Sequence, residues 1–103
     1  SVAKYYQSFH PAMFRLIRLI VEEFTKQGKP VSVCGEMGGN PEAAALMIGL
    51  GIRKLSMNAS SLAAVKKMIS QINLHKAQGM ARTVLELSTA VQVENYLKSE
   101  LPG

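Results

Sequence analysis

The chain has 103 residues, 48% apolar and 18% charged, with a net charge of +5 from 12 Lys and Arg against 7 Asp and Glu. Such a length and composition fit one small folded domain and exclude a disordered tail. One cysteine excludes an internal disulfide, no stretch reaches the ~18 consecutive apolar residues of a membrane helix, and the opening residues lack the basic-then-apolar order of a secretory leader, so a reducing, cytoplasmic setting is expected.

The opening ten residues read as an irregular entry, with His10 held extended by the proline after it. Pro11 suits a first helical position, and Phe14, Ile17, Ile20, Val21 and Phe24 recur on one helix face, which predicts a helix from Pro11 to Gln27 closed by Gly28 at C′ and Pro30. Val31 to Cys34 is short, β-branched and apolar, the pattern of a buried parallel strand. Gly35, Gly38 and Gly39 follow, then Asn40 as N-cap and Pro41 as first residue of a helix to about Ile48, ended by Gly49 and Gly51. The order repeats. Ile52 to Met57 predicts a second strand, Asn58 to Ser61 supply caps, and Leu62, Val65, Met68, Ile69 and Ile72 line a third helix. Leu74 to Leu87 reads as a helix interrupted at Gly79, and Thr89 with Gln92 forms a capping box for a last helix from Ala90 to Leu101.

Helix, strand, helix, strand, helix in this order gives an α/β fold class with two parallel strands. Two such strands leave both edges bare, so the chain is expected to be part of a larger domain. The basic residues are dispersed, as Lys26 and Lys29, Arg53 and Lys54, and Lys66 and Lys67, and no Trp interleaves them, which favours a solvated surface over a nucleic-acid site.

Cys34 stands where ligands sit in α/β units, at the C-terminal end of a strand before a glycine-rich turn. A buried thiol serving only as packing is the competing reading. As a chemical group it could be a nucleophile, which needs a base that no motif around His10 or His75 supplies, or a general acid, which an ordinary thiol pKa of about 8.5 already allows. Glu36 could orient a ligand or simply face solvent at a helix start. Ser56 and Asn58 could line the same mouth, although such residues more often cap helices. The methionines, among them Met37, Met47, Met57 and Met68, read as core filler, and no cluster has metal-ligand spacing. Neither a G-x-G-x-x-G nor a P-loop pattern occurs.

The stretch SVCGEMGGNPEAAALMIGLGIRKLSMNASSLAAVKKMI, Ser32 to Ile69, resembles the end of the phosphoenolpyruvate-binding barrel of phosphoenolpyruvate-protein phosphotransferases, enzyme I of the phosphotransferase system, and looks closest to the nitrogen-related variant. The similarity covers residues 5–72, carried by CGE followed by glycines, GLG and LSMN in that order. The resemblance implies a C-terminal fragment of a TIM (β/α)8 barrel, with Val31 to Cys34 as strand seven and Lys54 to Met57 as strand eight. Residues 1–72 would then be barrel-like and 73–103 a helical tail. It further implies Cys34 as the catalytic proton donor to enolpyruvate, with Gly35 and Glu36 beside the substrate. Mg²⁺ is implied for the full-length enzyme but not for this fragment, as are phosphoenolpyruvate and pyruvate, a phosphocarrier protein of the HPr type engaged through another domain, and a homodimer. The family's phosphate-holding arginines, metal ligands and phosphorylated histidine have no counterpart here, so the fragment alone is expected to be inactive. Gly38, Gly39 and Asn40 depart from many enzyme I sequences, and the double glycine resembles pyruvate phosphate dikinase. A dikinase-like enzyme and a non-catalytic helical interaction module are the alternatives.

Overall fold

The computed structural model describes residues 9–33 and 40–102. Among the described residues, five helices and two short strands follow in the order α1 (Pro11–Lys26), β1 (Ser32–Val33), α2 (Pro41–Gly49), β2 (Lys54–Leu55), α3 (Ala59–Gln71), α4 (Leu74–Leu85) and α5 (Ala90–Glu100). The described residues are thus mostly helical, around a two-stranded parallel sheet in which Ser32 pairs with Lys54 and Val33 with Leu55.

Local chemistry sets the helix starts. The His10 Nδ1 accepts the Ala12 N–H at 3.0 Å, from an extended residue preceding Pro11. Asn40, Asn58 and Asn73 cap α2, α3 and α4 through their side-chain oxygens. On α5 the capping box is complete: the Thr89 hydroxyl accepts the Gln92 N–H, and the Gln92 side chain accepts the Thr89 N–H. Two helices stop in the same way. After α1 the Lys29 N–H donates to Phe24 and the Gly28 N–H to Thr25, and after α2 the Ile52 N–H donates to Met47 and the Gly51 N–H to Ile48. This double return is the Schellman motif. It places the C′ residue in the left-handed region, at φ 70° for Gly28 and 108° for Gly51. Met47 and Ile52, which bracket the second motif, pack together in one apolar cluster with Val21.

α2 is the hub. Its residues Ala43 to Met47 are completely buried, and it packs against both α3 and α4. One core joins Phe14 of α1, Leu46 of α2, Met80 and Val84 of α4, and Val93 and Leu97 of α5. The second cluster, Val21, Met47 and Ile52, receives Val33 and Leu55 from the sheet and Val31 from just before β1. One face of the sheet is therefore covered by helices, while Ser32, Lys54 and Ser56 are exposed.

Several expectations need correction. Ile52 is not a strand residue, because its amide closes the α2 Schellman motif; the described pairing is confined to Ser32–Val33 and Lys54–Leu55. α4 runs unbroken through Gly79 and ends at Leu85. A helical glycine costs about 1 kcal/mol, and the burial of Ala77, Met80, Ala81 and Val84 on one side of α4 outweighs it. On α1, Phe14 and Val21 are buried but Ile20 and Phe24 are exposed, together with Leu16 and Leu19. α3 divides likewise, with Val65 buried and Leu62 and Ile69 exposed.

This exposed apolar surface, and strand edges that no other described strand pairs with, should make the 103-residue chain adhesive on its own. Analytical ultracentrifugation is expected to show a sedimentation coefficient that rises with concentration in the micromolar range. A monomer over that whole range would contradict the reading.

Candidate functional site

Both strands lead, at their C-terminal ends, into a capped helix. β1 precedes the Asn40 cap of α2, and β2 precedes the Asn58 cap of α3. Because the strands are parallel, these ends lie on one side of the sheet, where α/β units bind their ligands. The Ser56 N–H donates to the Val33 carbonyl at 2.8 Å and fixes the two ends relative to each other. Cys34, Gly35 and Glu36, the residues expected to carry the chemistry, lie outside the described residues, as do Met37, Gly38 and Gly39.

The flanking residues take definite roles. Asn40 accepts the N–H groups of Glu42 and Ala43 at 3.0 and 3.1 Å. Asn58 accepts the Ser61 N–H at 3.2 Å and the Ser60 hydroxyl at 2.7 Å, which makes it a cap and not a free ligand. Ser56 is exposed and tied through its backbone. Met47 and Met80 are core residues, Met68 is half-buried against the core, and Met57 lies half-buried in a surface groove. His75 is exposed in the first turn of α4, and His10 serves as a cap.

Two arginines escaped the sequence reading. Arg53 Nη1 donates to the carbonyls of Ile48 and Ile52 at 2.9 and 3.0 Å, satisfying the end of α2 just before β2 begins. Arg15 Nη1 donates to Leu85 and Leu87 at 2.9 and 3.2 Å, tying α1 to the end of α4. A cation is favoured at such a helix end by the unpaired carbonyls and the dipole. For Arg53 the signal was present, a basic residue two positions beyond the C′ glycine. For Arg15 the partner is 70 residues away and no local pattern announces it.

Among the described residues no three His, Cys, Asp or Glu side chains gather to hold a metal, and no helix is long and apolar enough to cross a membrane. One ion pair occurs among these residues, Arg18 with Glu22 at 2.8 Å, exposed and one turn apart.

Residues 1–74 match the family described as PEP-utilising enzyme, PEP-binding domain. The chain is 45% identical over 96 residues to a Salmonella typhimurium protein named "Phosphoenolpyruvate-dependent phosphotransferase system", covering 93% of this chain and 13% of that protein. It is 40% identical over 96 residues to the Escherichia coli protein of the same name, with the same coverage of each. To the "Phosphoenolpyruvate-protein phosphotransferase" of Bacillus subtilis it is 36% identical over 97 residues, or 94% of this chain and 17% of the relative. The chain thus spans 13% to 17% of the length of these relatives. With its paired parallel strands, each leading into a capped helix, and a match over most of its length, the chain belongs to the PEP-binding-domain family of PEP-utilising enzymes.

Proposed function

We propose that the chain is the C-terminal part of the PEP-binding domain of a phosphoenolpyruvate-protein phosphotransferase, of the nitrogen-related kind. The observation that carries this reading is 36% to 45% identity, over nearly the whole chain, to proteins named for that system. Those names favour a phosphotransferase over a dikinase and over a helical interaction module. In the whole protein, phosphoenolpyruvate gives its phosphoryl group to an enzyme histidine, which passes it to a phosphocarrier protein of the HPr type. The P–O bond to the enol breaks as the P–N bond forms, and the enolate left behind takes a proton at its methylene carbon to become pyruvate. Cys34, next in sequence to β1, is the donor of that proton, with Gly35 and Glu36 beside the substrate.

The layered arrangement supports a barrel origin. Helices cover one face of the parallel pair, and the other face carries exposed Ser32, Lys54 and Ser56, as expected for strands seven and eight cut from a closed TIM barrel. The remaining six strands, the phosphate-holding arginines, the phosphorylated histidine and the Mg²⁺ ligands come from the rest of a cytoplasmic, homodimeric enzyme. Mg²⁺ there would neutralise phosphate charge.

The test is a phosphorylation assay on the full-length protein with phosphoenolpyruvate labelled in the phosphate. Labelled protein, acid-labile as a phosphohistidine is, and stoichiometric pyruvate are expected. The reading fails if a folded full-length protein takes no label.

A further inference from the structure

The ladder between the two strands continues past Leu55. Ser32 pairs with Lys54 and Val33 with Leu55, and the Ser56 N–H then donates to the Val33 carbonyl at 2.8 Å. That carbonyl belongs to the peptide joining Val33 to Cys34, so the next positions in the register are 34 and 56. Side chains alternate along a strand. Leu55 and Met57 both line the apolar groove between β2 and α3, together with Leu62 and Ile69. Ser56, exposed between them, therefore faces the other way, to the side of Ser32 and Lys54 and away from the helices. The α3 cap is already supplied by Asn58, which accepts the Ser61 N–H and the Ser60 hydroxyl. Ser56 thus sets a hydroxyl on the open face of the sheet, at the strand end where α/β units bind ligands, with its backbone pinned to β1.

We infer that Ser56 is a positioning residue for the proton transfer, its hydroxyl hydrogen-bonded to the sulfur of Cys34. The inference rests on the proposed function in taking Cys34 as the proton donor. Cys34 lies outside the described residues, and its place beside Ser56 is inferred by carrying the register on by one residue. Neighbouring strands run about 4.8 Å apart, a spacing that two short side chains on one face can bridge. A serine hydroxyl has one proton to give and two lone pairs to offer, so it can accept from the thiol before the step and donate to the sulfur after it. In the step the S–H bond breaks and its electron pair stays on sulfur, while the enolate's pair forms the new C–H bond at the methylene carbon. The hydroxyl then donates to a thiolate, a charge-assisted hydrogen bond, until solvent returns a proton. Stabilisation that grows as the proton leaves speeds this step without tightening the hold on phosphoenolpyruvate.

In the full-length protein, Ser56→Ala is expected to lower the kcat of pyruvate formation by about tenfold or more, the effect of losing a hydrogen bond to a charged group, with the KM for phosphoenolpyruvate unchanged to within about twofold. Ser56→Thr keeps the hydroxyl and should retain most of the rate. In a Cys34→Ser background, Ser56→Ala should cost nothing further, because it acts only through the sulfur. The geometry can be read without activity: Ser56→Cys should bind phenylarsine oxide through two thiols, seen by mass spectrometry as a bridge to the Cys34 peptide. Lys54→Cys, on the same face but roughly 7 Å further back, should not. The inference is overturned if the arsenical leaves Ser56→Cys unbridged, if Ser56→Ala turns over at the parent rate, or if its loss is as large in the Cys34→Ser background. The two readings fail separately: a full-length protein whose Ser56→Cys variant is bridged but which accepts no phosphoryl group overturns the proposed function and keeps the contact, whereas an active protein without the bridge overturns the contact alone.

Discussion

Cys34→Ser in the full-length enzyme is expected to lower pyruvate formation by about 10²-fold or more, the usual contribution of a positioned general acid. The thermal midpoint and the far-UV spectrum should stay close to those of the parent, since Ser and Cys are nearly the same size. The reasoning rests on acidity. An ordinary thiol has a pKa of about 8.5 and is protonated at neutral pH, so it can release a proton to a carbanion and recover it from solvent. A hydroxyl in the same place is a far weaker acid and leaves the enolate to wait for water.

Stereochemistry separates this role from a merely structural one. A fixed thiol delivers its proton to one face of the enolate, so phosphoenolpyruvate labelled stereospecifically at its methylene carbon should yield pyruvate with a methyl group of one handedness. Residual turnover by Cys34→Ser should scramble that label. Unchanged rates and retained handedness in a folded variant would falsify the acid assignment and return Cys34 to the role of a small packing residue.

Helix starts and stops could be read from the sequence because their chemistry is local. Asn40 and Asn58, Pro11 and Pro41, Gly28, and the Thr89–Gln92 box each act on backbone groups within a few residues, and the structure uses every one of them. The order of two strands among the helices was readable for the same reason, since β-branched runs bounded by glycine and asparagine are short-range signals. What depends on distant neighbours was less readable. Gly79 looks like a break in isolation, but α2 lies against α4 and holds it straight. The α1 face containing Ile20 and Phe24 looks like core because periodicity reports what a helix can bury, not whether a partner is at hand. Ile52 looks like strand because its side chain is apolar, while its amide already belongs to the α2 terminus. At the candidate site the local signals gave the two caps and left Cys34 open between packing, nucleophile and general acid; the resemblance is what favours the proton-donor role proposed for it.

Gly49 carries the last and most structural of these expectations. In sequence it reads as a helix terminator, yet it occupies the final turn of α2, and Gly51 is the residue that takes the left-handed conformation. What glycine provides at position 49 is proximity. A Cβ there would lie 2.1 Å from the carbonyl oxygen and 2.6 Å from the carbonyl carbon of Ala77, and 3.1 Å from the Ala81 Cβ. The first two contacts are with backbone, so no rotamer change relieves them and α4 must move away from α2. Gly49→Ala should therefore destabilise the chain by roughly 2 to 3 kcal/mol from overpacking, even though alanine gains about 1 kcal/mol in helix propensity. For a domain of this size the thermal midpoint should fall by on the order of 10 °C, compared at equal protein concentration. Gly79→Ala makes the same chemical change one element away, where an added Cβ meets nothing nearer than the Arg82 Nη2 at 3.8 Å. There the propensity term acts alone, and the midpoint should rise by a few degrees. The double variant Gly49→Ala with Ala81→Gly removes the mildest of the three contacts and leaves the backbone collision, so it should not recover stability. Recovery would place the crowding in side chains, and equal effects of the two glycine substitutions would mean that α2 and α4 do not meet as closely as their backbones show.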